Sequence, residues 1–212
     1  MRSSRRVVVH PGEVIAVVGG AALLTSSWMV VALERRVPGW EARLFRDLND
    51  LGSAWWPIVR IPMQLGSLPG SLAAVVVVYA VSSNARLAAA TLLGTQAAYW
   101  GAKAVKNLAS RARPSELLAG VHVREHVSGL GYLSGHTAVA FALAAVVAPS
   151  LPRPWRPVAF AVATLVAFAR VYGGAHLPLD TLGGAGLGLL CGTLARWAMG
   201  LGGEGVRPSH AG

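Results

Sequence analysis

Apolar residues run along this chain in long stretches that lack the polar punctuation a water-facing helix needs. Residues 14–33 hold no charged side chain over 20 positions, the length that spans a bilayer's hydrocarbon core as a helix. Residues 61–85, centred on 72–81, and residues 87–102 form two more uncharged runs. The second of these is bounded by Arg86 and Lys103, whose long stems can carry their charges to the interface. Residues 137–152, 157–169 and 181–195 are shorter, yet none contains Lys, Arg, Asp or Glu. Helices of a soluble protein normally keep a charged stripe for solvent. These runs therefore read as spans whose polar flanks lie at the membrane surface. The pattern predicts an all-α polytopic bundle of six transmembrane helices over residues 1–201, followed by a disordered tail, 202–212.

Between the first two spans, Trp40, Leu44, Leu48 and Leu51 recur at helical spacing, with Arg43, Arg46 and Asp50 on the other side of the wheel. A helix lying in the interface, anchored by Trp55 and Trp56, fits this pattern. An amphipathic connector packed on the bundle fits it equally.

Composition agrees with a membrane protein. Hydrophobic residues make up 54% of the chain and charged ones 13%, about half the charge of a soluble domain. Such hydrophobicity excludes a disordered chain, and the lone Cys191 excludes a disulfide scaffold. The net charge is +10. In a polar protein it would suggest nucleic acid; in this one it points to a membrane surface or a phosphorylated ligand. Arg2, Arg5 and Arg6 precede the first span and favour a cytoplasmic N-terminus. The apolar run that follows exceeds the ~7–15 residues of a signal peptide's core, so it reads as an uncleaved anchor.

Ionisable groups at span ends are functional candidates, because lipid burial is costly for them. One cluster holds Lys103, Lys106, Arg111 and Arg113 before Pro114; it suits a polyanion, or merely lipid headgroups. The proline biases Arg113 out of helical conformation. A second, Ser134-Gly135-His136-Thr137, opens the fourth span. A serine cap and the free amides of a helix start make an anion site with His136 beside it as a proton donor, or else a plain helix cap with an interfacial histidine. A third runs from Arg170 to His176 and Asp180, with Pro178 suited to a helix's first turn. A carboxylate on one imidazole nitrogen would orient the ring and leave the other as base or nucleophile; a structural His–Asp bond closing a helix start is the alternative. No dense His and carboxylate pattern marks a metal site. With six spans, all three clusters fall on the same membrane face. His122 and His126, in the loop between, read as surface residues.

In order and spacing, Lys106-x6-Arg113-Pro114, Ser134-Gly135-His136 and Arg170-x5-His176-x3-Asp180 resemble the three-part signature of the type 2 phosphatidic acid phosphatase family. The family often has proline and serine where this chain has Leu133 and Ala169. The resemblance implies a hydrolase of lipid phosphates or pyrophosphates that needs no metal or other cofactor. Its partners would be a lipid phosphate substrate and membrane lipids, with no nucleic acid. It implies His176 as nucleophile, Asp180 as its orienting partner and His136 as proton donor. Lys106, Arg113, Ser134, Gly135 and Arg170 would hold the phosphate. A polyprenyl pyrophosphate is the favoured substrate, with phosphatidic acid or phosphatidylglycerol phosphate as alternatives. The expected setting is the cell membrane, with the site on the extracytoplasmic side. The same residues would serve a lipid phosphotransferase, and a non-catalytic lipid-binding or transport protein would use the cations only to hold headgroups.

Overall fold

The structure, a computed structural model, describes residues 10–34 and 36–203. Arg2, Arg5, Arg6 and nearly all of the expected tail lie outside the described residues. Those described are all-helical, without a strand. They form α1 (Pro11–Leu33), α2 (Gly39–Asn49), α3 (Trp56–Met63), α4 (Leu68–Ser82), α5 (Ala85–Ala109), the single turn α6 (Pro114–Leu117), α7 (Gly135–Val147), α8 (Arg156–Tyr172) and α9 (Pro178–Ala198).

Each uncharged run contains or overlaps one of these helices, but the second is not continuous. Ser67 caps a new helix by accepting from the Gly70 amide at 3.0 Å, and Pro69 sits in that helix's first turn. The chain therefore breaks after Gly66, and the segment Ser53–Gly66 meets Leu68–Ser82 at 71°. A proline in the first turn has no N–H to continue the preceding helix, and its ring obstructs the carbonyl a turn earlier. By length and composition, two helical segments among the described residues are apolar enough to cross a membrane, Pro11–Leu33 and Arg153–Tyr172; the bent pair, taken as one span, makes three. Gly135–Ser150 is apolar but shorter. Large apolar side chains cover the outside of α1 and α4, among them Ile15, Val18, Val76 and Val81, the last 83% exposed. So much outward apolar surface is a lipid-facing pattern rather than a water-facing one.

Helix α9 lies at the centre, packed on α7, α1 and α5, while α8 packs on α7 and α3 on α8. The close approach is made by glycine. Gly184, Gly188 and Gly192 put bare backbone against the Ser134, Ala138 and Ala142 carbonyls of α7 and its cap, and Gly186 does the same against Gly20 of α1. Both rows step by four residues, the small-x-x-x-small pattern that lets helices touch where no hydrophobic effect drives them together. This contact sets the height of the α7 start against the α9 start.

Helix α2 packs on α8 and α9, with its buried face formed by Glu41, Ala42, Phe45 and Asn49. Trp40 and Leu44 are 47% and 43% exposed. Trp40, Leu44 and Leu51 of the apolar stripe legible in the sequence thus point outward, Leu48 packs beside Phe45, and a face carrying a buried carboxylate points in. The helix packs on the bundle, the second of the two expectations for it. Asn49 explains why a polar face can be buried. Its amide donates to the His122 and Tyr172 carbonyls at 3.0 and 3.1 Å and accepts from the His122 amide at 2.8 Å.

Candidate active site

At one end of the bundle the three clusters converge. Helix α5 stops at Ala109, where Ser110 turns left-handed with φ 50°, and Arg113 is extended before Pro114. Lys106, on the last turn of α5, donates to the Leu130 and Gly131 carbonyls at 2.7 and 3.0 Å. An ammonium has three N–H groups, so one remains for a ligand. Arg113 is clamped by carbonyls: Nε to Gly129 at 2.9 Å, Nη2 to Ser128 at 3.1 Å and Nη1 to Ala175 at 2.7 Å. Its Nη1 also lies 3.0 Å from His176 Nε2.

His176 reaches this point from the turn between α8 and α9. Gly174, with φ +75°, makes that turn where a Cβ would meet the His122 carbonyl at 2.6 Å. The His176 imidazole is 2% exposed, and its Nδ1 lies 3.4 Å from Asp180 Oδ2. Nδ1 forms no hydrogen bond among the described residues, so the pair is in contact but not tightened. Helix α9 begins at Pro178, its first position, and Asp180 is the third. The dyad therefore spans a helix cap, with Asp180 Oδ2 accepting from the Leu177 amide at 2.9 Å; His176 itself precedes the helix. Burial first, then the charges of Arg170, Lys106 and Arg113, holds His176 well below the ordinary histidine pKa. The ring is neutral and keeps a lone pair on Nε2.

His136 stands at the second position of α7, after its cap Ser134, within electrostatic reach of Arg170, Lys106 and Arg113 and of His176. Gly66, at the break before α4, packs directly on the His136 backbone. Ser134 ties the start of α7 to the start of α9. Its amide donates to the Asp180 carbonyl at 2.9 Å, and its hydroxyl accepts from the Thr137 amide and hydroxyl at 3.4 and 3.0 Å. The Gly135 and His136 amides, at the first two helix positions, have no acceptor within the helix and are the donors suited to an anion.

Arg170, 2% exposed, completes the ring of cations. One Nη1 bond goes to Glu125 and another to the Met63 sulfur at 3.6 Å. Its buried Nε finds no acceptor among the described residues. Lys103 stands apart, over the Tyr99 and Trp100 rings at 4.7 Å from each. His122 and His126 are exposed, as expected.

Two groups escaped the sequence analysis, Glu125 and Glu41, while Arg111 stood there only as one cation of a cluster. Glu125, from the loop before α7, holds Arg170. Glu41 of α2 and Arg111 form an ion pair that reaches Asp180. The only sequence trace of Glu41 is its place on one face with Ala42, Phe45 and Asn49, and an acidic residue there reads as solvent-facing.

Three cations, a second histidine and two helix-start amides surround one buried imidazole at the end of the helical membrane bundle, an arrangement suited to an oxyanion. The chain belongs to the PAP2 superfamily, a family of phosphatases. The family's model matches residues 85–201, the stretch that carries all three clusters. Two solved structures share the fold. LpxE from Aquifex aeolicus superposes with a TM-score of 0.70 at 23% identity, over 76% of this chain and 97% of that one. The first transmembrane PAP2 type phosphatidylglycerolphosphate phosphatase from Bacillus subtilis does so with a TM-score of 0.71 at 22% identity, over 85% and 95%. No curated protein sequence matches the chain.

Proposed function

We propose that this protein is a six-span membrane phosphatase that hydrolyses lipid phosphates or pyrophosphates through a phosphohistidine on His176, without a metal. The observation that carries the reading is the setting of His176. A neutral imidazole, buried among Lys106, Arg113 and Arg170, has one nitrogen toward a cation and the other toward Asp180.

In the first step the Nε2 lone pair attacks phosphorus, the bond to the leaving oxygen breaks, and His136 donates a proton to that oxygen. Asp180 faces Nδ1–H and stabilises the charge that develops on the ring. Lys106, Arg113, Arg170 and the Gly135 and His136 amides bind the three equatorial oxygens. Arg113 and Arg170 are already engaged, with Nε2 and with Glu125, so a phosphate oxygen replaces each of those partners on binding. In the second step His136 takes a proton from water, the oxygen attacks phosphorus, and the P–N bond breaks to release orthophosphate and restore His176. The positive charge that a metal would supply comes from the three cations.

Helices α5 and α9, long enough but less apolar, and the shorter α7 complete six spans with α1, the bent α3–α4 pair and α8. Both chain termini are then cytoplasmic and the site is extracytoplasmic, entered sideways from the lipid. A polyprenyl pyrophosphate fits best, since its second phosphate adds charge for the cations to neutralise. Purified protein tested in excess chelator against a panel of lipid phosphates should release orthophosphate, fastest from a polyprenyl pyrophosphate. A clear preference for phosphatidic acid would overturn the substrate, strict dependence on added divalent metal would overturn the metal-free chemistry, and binding without turnover would overturn the enzyme.

A further inference from the structure

Asp180 is completely buried, and what surrounds it is a chain of charges rather than a single histidine. Its Oδ1 accepts from Arg111 Nη1 at 2.8 Å. The same guanidinium grips Glu41 with both terminal nitrogens, Nη1 to Oε1 at 3.2 Å and Nη2 to Oε2 at 2.5 Å. Glu41 is itself fully buried, and its Oε1 takes a further bond from the Leu179 amide at 2.9 Å. Helix α2 is thus bonded to the first turn of α9 twice, once through backbone and once through Arg111.

We propose that Glu41 and Arg111 are positioning residues that set the plane and charge of Asp180 and so aim the His176 imidazole. The geometry leaves each element little freedom. A guanidinium is planar with a fixed fork of donors, so its two-point grip on Glu41 decides where the remaining Nη1–H points. That N–H and the Leu177 amide then take one Asp180 oxygen each, which fixes the carboxylate plane with Oδ2 toward His176 Nδ1. The charge balance requires both members. Without Arg111, two buried carboxylates would face one another, and a buried carboxylate deprived of its partner is strongly destabilised. Without Glu41, Arg111 would bear on Asp180 alone, drawing it from the ring. Burial opposes the charge on Arg111, but the bonds and charges of Glu41 and Asp180 outweigh it and raise its pKa above the ordinary value. The permanent cation favours the ionised form of Asp180, the form that accepts from the imidazole N–H. Neither residue touches the phosphate pocket made by Lys106, Arg113 and Arg170.

The inference rests on the phosphohistidine reading, and the test separates the two. Purified full-length protein in detergent is assayed for phosphate release from a lipid phosphate, for phosphohistidine formation by rapid quench, and for inhibition by orthovanadate. Glu41→Gln should lower kcat and the rate of phosphohistidine formation by about 10²-fold, the scale of a misplacement of ~1 Å at a reacting group. KM and the vanadate inhibition constant should stay within about threefold, because the anion pocket is untouched. In Arg111→Gln the further change Glu41→Gln should cost little more, since the two act as one unit. Should Glu41→Gln fail to fold, Arg111→Lys keeps the charge but loses the fork, and it should show the same kcat-selective loss. A parent-like kcat in whichever of these folds, or equal losses in kcat and vanadate affinity, overturns the inference. If His176→Ala is inactive at the same time, the phosphohistidine reading stands; if His176→Ala turns over normally, that reading falls instead.

Discussion

Arg113 Nη1 approaches His176 Nε2 to 3.0 Å, and this contact assigns the proton on the imidazole. A guanidinium has only donors, so Nε2 is the acceptor and the ring proton of neutral His176 sits on Nδ1, facing Asp180. The nitrogen left with a lone pair is the one that opens toward Lys106, Arg113 and Arg170. In the proposed reaction the Arg113 donor would move from nitrogen to a phosphate oxygen, freeing the lone pair as the anion arrives.

The two histidines have separate expected phenotypes. His176→Ala should abolish turnover and leave no acid-labile phosphoenzyme. His136→Ala should slow turnover by about 10²–10⁴-fold, the range for a lost general acid. Steady-state phosphate release together with quench-flow trapping checks both.

The pH profile should show a low acid limb. His176 is held well below its ordinary value of 6.5 by burial and then by Arg170, Lys106 and Arg113. A depressed pKa means the proton is gone at every pH above that lower value. The enzyme's own contribution to the acid limb of kcat/KM, after correction for substrate ionisation, should therefore have its midpoint well below 6.5. A midpoint at or above 6.5 would contradict this.

In the proposed mechanism Glu125 competes with the substrate for Arg170. The two side chains are ion-paired, and the Arg170 Nε has no acceptor among the described residues. Glu125→Gln should therefore tighten orthovanadate inhibition, by about fivefold if the pair is worth ~1 kcal/mol. Weaker inhibition would show that Glu125 orients Arg170 instead of competing.

The glycine seam should be intolerant of a methyl group. In Gly188→Ala the new Cβ would press on the Ala138 carbonyl and lie 2.8 Å from the Phe141 Cβ. Overpacking of this kind costs about 1–3 kcal/mol. A lowered midpoint of thermal unfolding in detergent is the expected result. Gly101→Ala, whose Cβ would meet only Leu187 methyl carbons at 3.5 and 3.7 Å, is the control and should unfold like the parent.

Much of the architecture is legible because lipid imposes a simple rule: uncharged runs of sufficient length become helices. Residues 14–33, 87–102 and 181–195 all fall within single helices for that reason. The break near Ser67 was masked by the same rule, since Gln64, Ser67 and Pro69 interrupt no apolar average although they cap and start helices. Helix α2 was misread on its faces because a charged residue is assigned to water unless its partner is visible, and the partners of Glu41 stand 70 and 138 positions away, at Arg111 and Leu179.

Local pattern alone determined that the chain is helical and lipid-facing, that Ser134 caps one helix and Pro178 starts another, and that Arg113 leaves the helix before Pro114. Each of these depends on neighbours within a turn or two, where hydrophobicity, capping and proline sterics act. Only the tertiary structure decided which buried charges meet. Lys106, Arg113, Arg170, His136 and His176 gather because glycine backbones bring α7 and α9 into contact, and Glu41 reaches Asp180 because Arg111 bridges the gap. Electrostatic pairing acts through space, and distance along the chain carries no trace of it.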